Sequence, residues 1–385
     1  MKFKVVLCSL SSDVILKSAR SRARFQNILL KNVKNALQRR NIPYSGISYD
    51  EARLVIVTEK VEEVSQIMTR IFGIHGVTIA EMFTFTNVQD LVSKVTDIAR
   101  EWVKGKKFAV KARRSGIEGI TSLDLAKLIG ASLYSYSSGV DLDNPDVEVH
   151  VEVRSNRAYV HKGFIKGAGG NPIGVEGKAL VLFSGGIDSP VASVLAAKRG
   201  LKVDFLHYIL ASDKSKEEAL KVAKLVKDNW LLSYDPKMYF IDLRNVVLEI
   251  LNQVNYTYRQ VVLRLSMYKV ADIFARNKGY DLIYTGESIG QVSSQTAKNI
   301  KAIHAVSQPL LPIIRPLVGM DKEEIIDLSK KYGLFEESSK THEYCRIASR
   351  GPVETRASID KLKKFYEKLN PIIEKVAQEY EEVDV

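Results

Sequence analysis

The chain has 385 residues, a formal net charge of +12 and a pI of about 9.3. At roughly 100–200 residues per domain, this length predicts two or three domains. The sequence has no run of about 18 apolar residues, and its start, MKFKVVLCSLSSD, lacks the features of a signal peptide, so we expect a cytoplasmic protein without a membrane segment. With only two cysteines, Cys8 and Cys345, a disulfide framework and a self-contained zinc or iron–sulfur site are excluded.

The first stretch of the chain predicts a small α+β unit. The runs KFKVVLC and ARLVIVT are strand-like, and each is followed by apolar residues at helical spacing. This order of elements indicates a ferredoxin-like domain, which we place at residues 1–60. Between Ile15 and Arg40 there are eight basic residues and no acidic one. Such a surface suits a polyphosphate partner, although a solvated lysine-rich face has the same composition.

A second α+β unit is predicted at residues 61–165. It contains the basic strand KKFAVKARR, two helical segments and the strands VEVHVEVRS and RAYVHKGF. A polyphosphate partner would contact the cations of both units, namely Arg20, Arg22, Arg24, Lys107, Lys111, Arg113 and Arg114. The glycine-rich segment KGAGGNPIGVEG, residues 166–177, is the clearest linker.

From residue 178 to residue 385 the pattern changes to alternating strands and helices. The runs ALVLF, VDFLHY, MYFIDL and LIYTG are continuously apolar, which is typical of a buried parallel sheet. The predicted fold class is therefore α/β, with a C-terminal doubly wound parallel sheet preceded by two small α+β domains. Ligands of such sheets bind beyond the C-terminal ends of the strands.

The run SGGIDSP, Ser184–Pro190, directly follows the strand ALVLF and opens a helix. Glycines let the backbone approach a phosphate, and the helix N-terminus offers N–H donors with a partial positive charge. A Walker A loop is excluded, because Pro172 stands where its first glycine belongs and Ala179 follows its lysine. The loop therefore predicts adenylation with loss of pyrophosphate rather than γ-phosphoryl transfer.

These motifs resemble the PP-loop ATP pyrophosphatases and, within them, the tRNA 4-thiouridine synthetases, or tRNA uridine 4-sulfurtransferases. The resemblance runs through KSARSRARFQNILLKN, KKFAVKARR, GAGGNPIGVEGKALVLFSGGIDSPVA, TGESIGQVSSQT, IIRPLVGMDKEEI and HEYC. It implies that the second unit is a THUMP domain, an RNA-binding module, and that the cations of both units named above bind RNA. It also implies that the chain is the short form without a rhodanese domain. It also implies ATP, Mg²⁺ and tRNA as ligands, and conversion of uridine 8 of tRNA to 4-thiouridine.

The resemblance further implies which residues form the site. Those that would bind ATP are Leu182, Phe183, Ser184, Gly185, Gly186, Ser189, His207, Tyr208, Arg264, Gly286 and Gln295. Asp188 would hold Mg²⁺ or the activated oxygen, since a carboxylate beside a triphosphate needs a cation between them. Lys322 would act near the adenylating centre, although a lysine that follows a helix-capping Asp321 is also a common surface residue.

Cys345 matches the family's sulfur-bearing cysteine, and a thiolate is a good nucleophile. Sulfur could reach it from a donor protein, as the persulfide of a cysteine desulfurase, or arrive as free sulfide. Cys345 would then either carry the persulfide or resolve one held by a partner. The sequence leaves open the sulfur donor, a role in thiamine thiazole synthesis and the oligomeric state, a homodimer included.

Two other functions remain open at this point. The same loop serves other PP-loop tRNA-modifying enzymes and amidotransferase synthetases. A chain that kept this fold could also be a non-catalytic RNA-binding protein, but the intact loop from Ser184 to Asp188 argues against that function.

Overall fold

The computed structural model describes residues 3–116, 119–342 and 352–385, so Cys345 lies outside the described residues. Contacts between residues divide the chain into two compact units, Met1–Asn171 and Pro172–Val385. The border falls inside the predicted linker. The finer domain boundaries at 60/61 and 165/166 stay predictions.

The first unit contains strands and helices in an interleaved order. Its elements are β1 (Phe3–Leu10), α1 (Ser12–Ile15), α2 (Ala19–Arg39), β2 (Gly46–Asp50), β3 (Arg53–Val57), α3 (Val61–Met68), β4 (Ile74–Thr84), α4 (Val88–Val103), β5 (Lys107–Ser115), α5 (Ser122–Tyr134), β6 (Gly139–Val140), β7 (Val147–Arg154), β8 (Arg157–His161) and β9 (Ile165–Lys166).

The strands of the first unit form a sheet with the order β2-β3-β1-β4-β8-β7-β5-β6, and β9 also pairs with β4. The strands β2, β3, β1 and β4 are antiparallel and, with α2 and α3, give the βαββαβ arrangement of a ferredoxin-like fold. The sequence did not reveal β2, because its residues GISYD lack a buried apolar face. The sheet continues through β4 into the second half of the unit, where α4 and α5 pack over it.

Helix α2 shows why the basic segment folds as it does. One stripe of apolar residues is buried, consisting of Phe25, Leu29, Val33, Ala36 and Leu37. These positions recur every three or four residues, so the stripe faces the core and the cations are left outside. Tyr49 of β2 donates a hydrogen bond to the Gln26 carbonyl oxygen (2.7 Å) and ties the strand to the helix.

A buried ion cluster joins the two halves of this sheet. Arg53 of β3 donates two hydrogen bonds to the carboxylate of Glu152 on β7 (2.9 and 2.7 Å), and Arg154 donates a third (3.1 Å). We call Arg53, Glu152 and Arg154 the Glu152 cluster. Beside it, Tyr159 of β8 donates to Asp50 at the end of β2 (2.6 Å). These bonds connect strands that are far apart in the strand order, so they fasten the β2–β3 hairpin to the β7–β8 hairpin.

The predicted linker is bonded at both ends. Gly169 N donates to the Ile74 carbonyl oxygen (2.8 Å) and Ser11 Oγ donates to the Gly170 carbonyl oxygen (2.6 Å), both in the first unit. After the border, Gly174 N donates to the Gly200 carbonyl oxygen (2.8 Å) in the second unit. Gly167 also allows close backbone packing, because a Cβ there would stand 2.5 Å from the Ile74 carbonyl oxygen.

The second unit alternates strands and helices as predicted. Its elements are β10 (Lys178–Leu182), α6 (Asp188–Lys198), β11 (Lys202–Ile209), α7 (Lys214–Trp230), β12 (Lys237–Asp242), α8 (Arg244–Gln253), α9 (Arg259–Asn277), β13 (Leu282–Thr285), α10 (Ala297–Ser307), β14 (Ile313–Ile314), α11 (Lys322–Lys331), α12 (Phe335–Ser338), α13 (Ile359–Val376) and β15 (Glu381–Asp384), with 3₁₀ turns at Tyr256–Tyr258 and Ser293–Gln295.

Its sheet has the order β14-β13-β10-β11-β12-β15, and every described pair except β12–β15 is parallel. This confirms the predicted α/β class. The acidic end of the sequence was not predicted as a strand. It forms β15, and nearby lysines neutralise its carboxylates. Lys237 Nζ lies 2.5 Å from Asp384 and 3.2 Å from Glu382. These carboxylates raise the pKa of Lys237 to about 12.

Candidate active site

The loop between β10 and α6 is shaped by its own serines. Ser189 Oγ accepts hydrogen bonds from Ser184 N (3.1 Å) and Gly185 N (3.3 Å), and Ser184 Oγ accepts one from Gly186 N (3.3 Å). Helix α6 begins at Asp188, and the first N–H groups of a helix have no partner within it. Such groups, together with the helix dipole, favour a bound anion. The loop therefore fits a phosphate.

Two glycines allow close backbone packing at this loop. Gly185 adopts φ +83°, which favours glycine, and a Cβ there would stand 3.1 Å from Ala219 Cα. At Gly286, which follows β13, a Cβ would lie 2.8 Å from the backbone carbon of Asp188 and 2.9 Å from Ser189 N. A side chain at Gly286 would push β13 away from the start of α6.

His207 and Tyr208, near the end of β11, are buried and bonded to the protein. His207 Nδ1 donates to the Phe183 carbonyl oxygen (2.9 Å), and its Nε2 accepts from Ser215 Oγ (3.1 Å). Burial lowers the pKa of His207 to about 4, so the ring is neutral at physiological pH. Tyr208 Oη donates to the Met267 carbonyl oxygen (2.6 Å), and burial raises its pKa. These bonds brace β11 against β10 and α9.

Glu287, directly after Gly286, is buried and shared by two arginines. Arg264 Nη1 and Tyr268 Oη donate to its two carboxylate oxygens, and Arg315 Nε donates to Oε2 at 2.9 Å. We call Arg264, Tyr268, Glu287 and Arg315 the Glu287 cluster. Two guanidinium groups against one carboxylate leave a net positive charge, which suits a polyphosphate nearby.

Arg264 is held by two further residues. Its Nε donates to Ser294 Oγ (2.9 Å). The Gln295 amide satisfies its neighbours with the oxygen toward Arg264 Nη2 (3.0 Å) and the nitrogen toward the Ser288 carbonyl oxygen (2.9 Å). Gln295 therefore acts on the orientation of Arg264, because the hydrogen bonds fix the plane of the guanidinium group.

Asp188 and Lys322, predicted from distant parts of the chain, form an ion pair. Lys322 Nζ donates to Asp188 Oδ1 (2.6 Å), and Gln291 Nε2 donates to Oδ2 (3.0 Å). Lys322 is the first residue of α11, whose start is fixed by a capping box between Asp321 and Glu324. The capped helix start thus places the lysine at the phosphate loop. Asp188 keeps about a quarter of its side chain exposed (28%).

These elements surround a cavity of about 590 Å³ at the C-terminal ends of β10, β11 and β13. The predicted residues that line it are Leu182, Phe183, Ser184, Gly186, Asp188, Ser189, His207, Tyr208, Arg264, Gly286 and Gln295. Gly185 and Lys322 do not line the cavity. Gly185 allows the tight turn of the loop, and Lys322 contacts Asp188. A cavity of this volume and mixed polarity fits a nucleotide-sized ligand.

The described residues on either side of Cys345 lie at the same cavity. Thr341, His342 and Val353 line it. Thr341 Oγ1 donates to the Gly185 carbonyl oxygen (3.1 Å), and His342 Nδ1 lies 3.0 Å from Glu218 Oε1. Cys345 itself lies outside the described residues, so its predicted role stays a prediction.

The predicted RNA-binding residues lie in the first unit. Arg20, Arg22 and Arg24 are exposed on α2, and Lys107, Lys111, Arg113 and Arg114 are exposed on β5. Two of these cations have an acid nearby, since Lys107 Nζ is 3.6 Å from Asp141 and Lys111 Nζ is 3.8 Å from Glu148.

Sequence inspection assigned no role to several cavity residues. Glu287, Gln291 and Tyr268 line the cavity, and Arg315 completes the Glu287 cluster. Glu287 and Gln291 belong to the run TGESIGQVSSQT, and Arg315 belongs to IIRPLVGMDKEEI. Both runs carried the resemblance, so membership of a shared motif was the available signal.

Three family models and several known proteins match this chain. The family model described as Thiamine biosynthesis protein (ThiI) matches residues 174–371, a THUMP domain model matches 85–161, and a ThiI ferredoxin-like domain model matches 7–78. The tRNA sulfurtransferase of Desulfurococcus amylolyticus is 43% identical over 98% of this chain and 78% of its own. The probable tRNA sulfurtransferase of Sulfurisphaera tokodaii is 40% identical over 99% of this chain and 100% of its own.

Among solved structures, a 4-thiouridine synthetase–RNA complex with bound ATP superposes with a TM-score of 0.85, at 26% identity and with 100% of both chains covered. None of the described helices has the length and apolar character of a membrane span. On the identity and coverage of its relatives, the chain belongs to the tRNA sulfurtransferase family.

Proposed function

We propose that this enzyme uses ATP to adenylate O4 of uridine 8 in tRNA and then replaces that oxygen with sulfur, giving 4-thiouridine. The observation that carries the proposal is the cavity lined by the phosphate loop and by Asp188, whose carboxylate is bonded to Lys322. Membership of the family and the ATP and RNA held by the similar solved structure support it.

In this proposal the triphosphate of ATP lies on the loop from Ser184 to Ser189. The N–H groups of the loop and of α6 would bind phosphate oxygens, and Arg264 would add a positive charge. The apolar side of the cavity, near Tyr208 and Met267, would take the adenine base. The residues assigned to ATP by sequence resemblance fit these tasks.

Asp188 is suited to Mg²⁺, because a cavity-lining, partly exposed carboxylate beside a phosphate loop matches the way the ion is usually held, by one or two carboxylates and phosphate oxygens. When bound there, the ion would neutralise charge on the phosphates and favour departure of pyrophosphate. Lys322 would supply a second cation at the same carboxylate, and could move to a phosphate oxygen when ATP binds.

The chemistry then has two displacements. O4 of the uracil attacks the α-phosphorus, the bond from that phosphorus to pyrophosphate breaks, and the N3 proton leaves. Sulfur next attacks C4, and AMP departs with the former O4. With sulfide the product is 4-thiouridine directly, whereas with a persulfide a second thiol must afterwards cleave the S–S bond.

Cys345 is our proposed sulfur-bearing residue when a donor protein supplies the sulfur as a persulfide, whereas free sulfide would attack C4 directly. Cys345 is three positions after His342, which lines the cavity, and three residues of chain reach at most about 11 Å. Replacing Cys345 with Ala should abolish 4-thiouridine formation from a persulfide donor, while the adenylated tRNA still forms and pyrophosphate is still released. Full activity of the variant with that donor would remove Cys345 from the mechanism.

The proposed function as a whole is tested on the wild-type chain. Incubation with ATP, Mg²⁺, tRNA and sulfide should release pyrophosphate and AMP, and mass analysis of the tRNA nucleosides should detect 4-thiouridine. Release of ADP instead, or nucleotide cleavage that does not depend on tRNA, would contradict it.

A further inference from the structure

Gln260 lines the nucleotide cavity but has no role in the site described so far. It lies in the first turn of α9, is only 8% exposed, and its side-chain Oε1 has no hydrogen-bond partner among the described residues. Gln260, Arg264 and Met267 are spaced by four and three residues, so they share one face of α9, and all three line the cavity. This face therefore presents an amide, a guanidinium group and an apolar side chain to one ligand.

The surroundings of Gln260 suit a base rather than a phosphate. Leu206, Leu210, Met267 and Val353 are apolar and line the same cavity, and the main core of the unit continues behind them. Gln291 offers a contrast, since its amide nitrogen is bonded to Asp188 and it therefore belongs to the phosphate side. In the part of the chain that the structure describes, no residue is bonded to Gln260 Oε1.

A buried amide oxygen without a partner is unfavourable, because it has lost its hydrogen bonds to water without gaining another. The terminal torsion of a glutamine is soft, so the amide can turn its oxygen or its nitrogen toward a ligand. An amide presents one acceptor and one donor side by side. Adenine presents the complementary pair, the N6 amino group beside a ring nitrogen acceptor.

We propose that Gln260 determines the specificity for adenine, with Oε1 accepting a hydrogen bond from N6 and Nε2 donating one to a ring nitrogen. The inference rests on the proposed function in taking ATP as the substrate, and it adds the residue that recognises the base. Selection against a base without the N6 amino group follows, because that base would leave the buried oxygen unpaired.

The test compares the binding of ATP and of purine riboside triphosphate, which lacks the N6 amino group, to the full chain by calorimetry without tRNA. The wild-type chain should prefer ATP by roughly 10-fold or more, as a bidentate contact to a base allows. Gln260→Met, which keeps the side-chain volume but removes the amide, should bind the two nucleotides about equally. Gln253→Met, on the exposed face of α8, is the matched control and should keep the preference.

Retention of the full preference by Gln260→Met would overturn the inference, even if both nucleotides bound more weakly. If that variant does not fold, Gln260→Glu serves instead, because it keeps an acceptor but has no amide donor and should lose ATP affinity; unchanged affinity would again overturn the inference. A wild-type chain that binds both nucleotides equally removes this inference alone. A wild-type chain that binds neither removes the proposed function as well.

Discussion

Glu152 in the first unit and Glu287 in the second are both almost fully buried, at 5% and 4% exposure, and each accepts hydrogen bonds from two arginines. Burial raises the pKa of Glu152, but interactions with His161, Arg53 and Arg154 outweigh it and hold that pKa below its ordinary value. The Glu152 cluster connects two hairpins of one sheet. The Glu287 cluster instead lies at a cavity and orients Arg264 toward it.

The difference teaches that a buried ion cluster is not a functional site by its chemistry alone. The two clusters differ in whether one of their arginines faces a cavity, where it can contact a bound ligand. The Glu152 cluster is expected to affect stability only, while the Glu287 cluster should affect stability and ATP binding together. We therefore expect a division between the units, in which a substitution in one unit leaves the ligand binding of the other unchanged.

Asp188→Asn should confine its effect to the second unit. Removing the charge that holds Lys322, and that would hold Mg²⁺, should lower the rate of tRNA-dependent AMP formation by roughly 1000-fold, in the range found when a transition-state contact is lost. Binding of tRNA, measured by filter binding, should stay at the wild-type level. A parallel fall in tRNA affinity would contradict the division.

The substitutions Glu287→Gln and Glu152→Gln form a matched pair. Each leaves two arginines partly buried without their carboxylate, and the free energy of unfolding should fall by about 3–5 kcal/mol. Glu287→Gln should also weaken ATP binding, because Arg264 loses its anchor. Glu152→Gln should leave ATP binding unchanged, and calorimetry on both variants decides the matter. An equal loss of ATP affinity in the two variants would contradict the expected difference between the Glu287 and Glu152 clusters.

His207 should make the second unit sensitive to acid. Its pKa is about 4 in the folded chain and about 6.5 when unfolded, so the unfolded state binds more protons between these values. The stabilising contribution is complete above pH 6.5 and falls by about 3 kcal/mol as the pH drops to 4. The measurement is the pH dependence of the free energy of unfolding in the wild type and in His207→Gln. An identical pH dependence in the two chains would contradict the assignment.

Arg113→Gln should have the smallest effect, confined to the first unit. Loss of one phosphate contact should weaken tRNA binding several-fold and lower the slope of log affinity against log salt by about 1. Lys107→Gln is the matched control and should weaken binding less, since Asp141 lies near that ammonium group. Equal salt slopes for wild type and Arg113→Gln would exclude a phosphate contact at Arg113.

Local patterns in the sequence predicted the phosphate loop and the central strands of the second sheet, because a tight turn and a buried strand are each encoded by a few neighbouring residues. The Glu287 cluster could not be found in this way. Its members come from α9, from the loop after β13 and from the segment after β14, and no spacing rule brings them together. The resemblance placed Lys322 near the adenylating centre, but its ion pair with Asp188 became visible only in the structure, for the same reason.

Six strands, β2, β4, β6, β9, β14 and β15, were not predicted from the sequence. No residue of β2 or β15 is fully buried, so the pairing of these two strands depends on partners elsewhere in the chain. For β15 these partners include the lysines of neighbouring elements, such as Lys237 and Lys278. Charge complementarity over a long sequence separation leaves no periodic signal.

The first unit has one continuous sheet, and the Glu152 cluster links its two hairpins. This sheet keeps α2 and β5 at a fixed separation. An RNA that touches the cations of both elements must therefore present its phosphates at a matching distance. The unit would therefore select RNA by the spacing of its phosphates, before any base is contacted. A folded substrate could then be recognised by its outline, and the chemistry of the target base could be left to the other half of the protein.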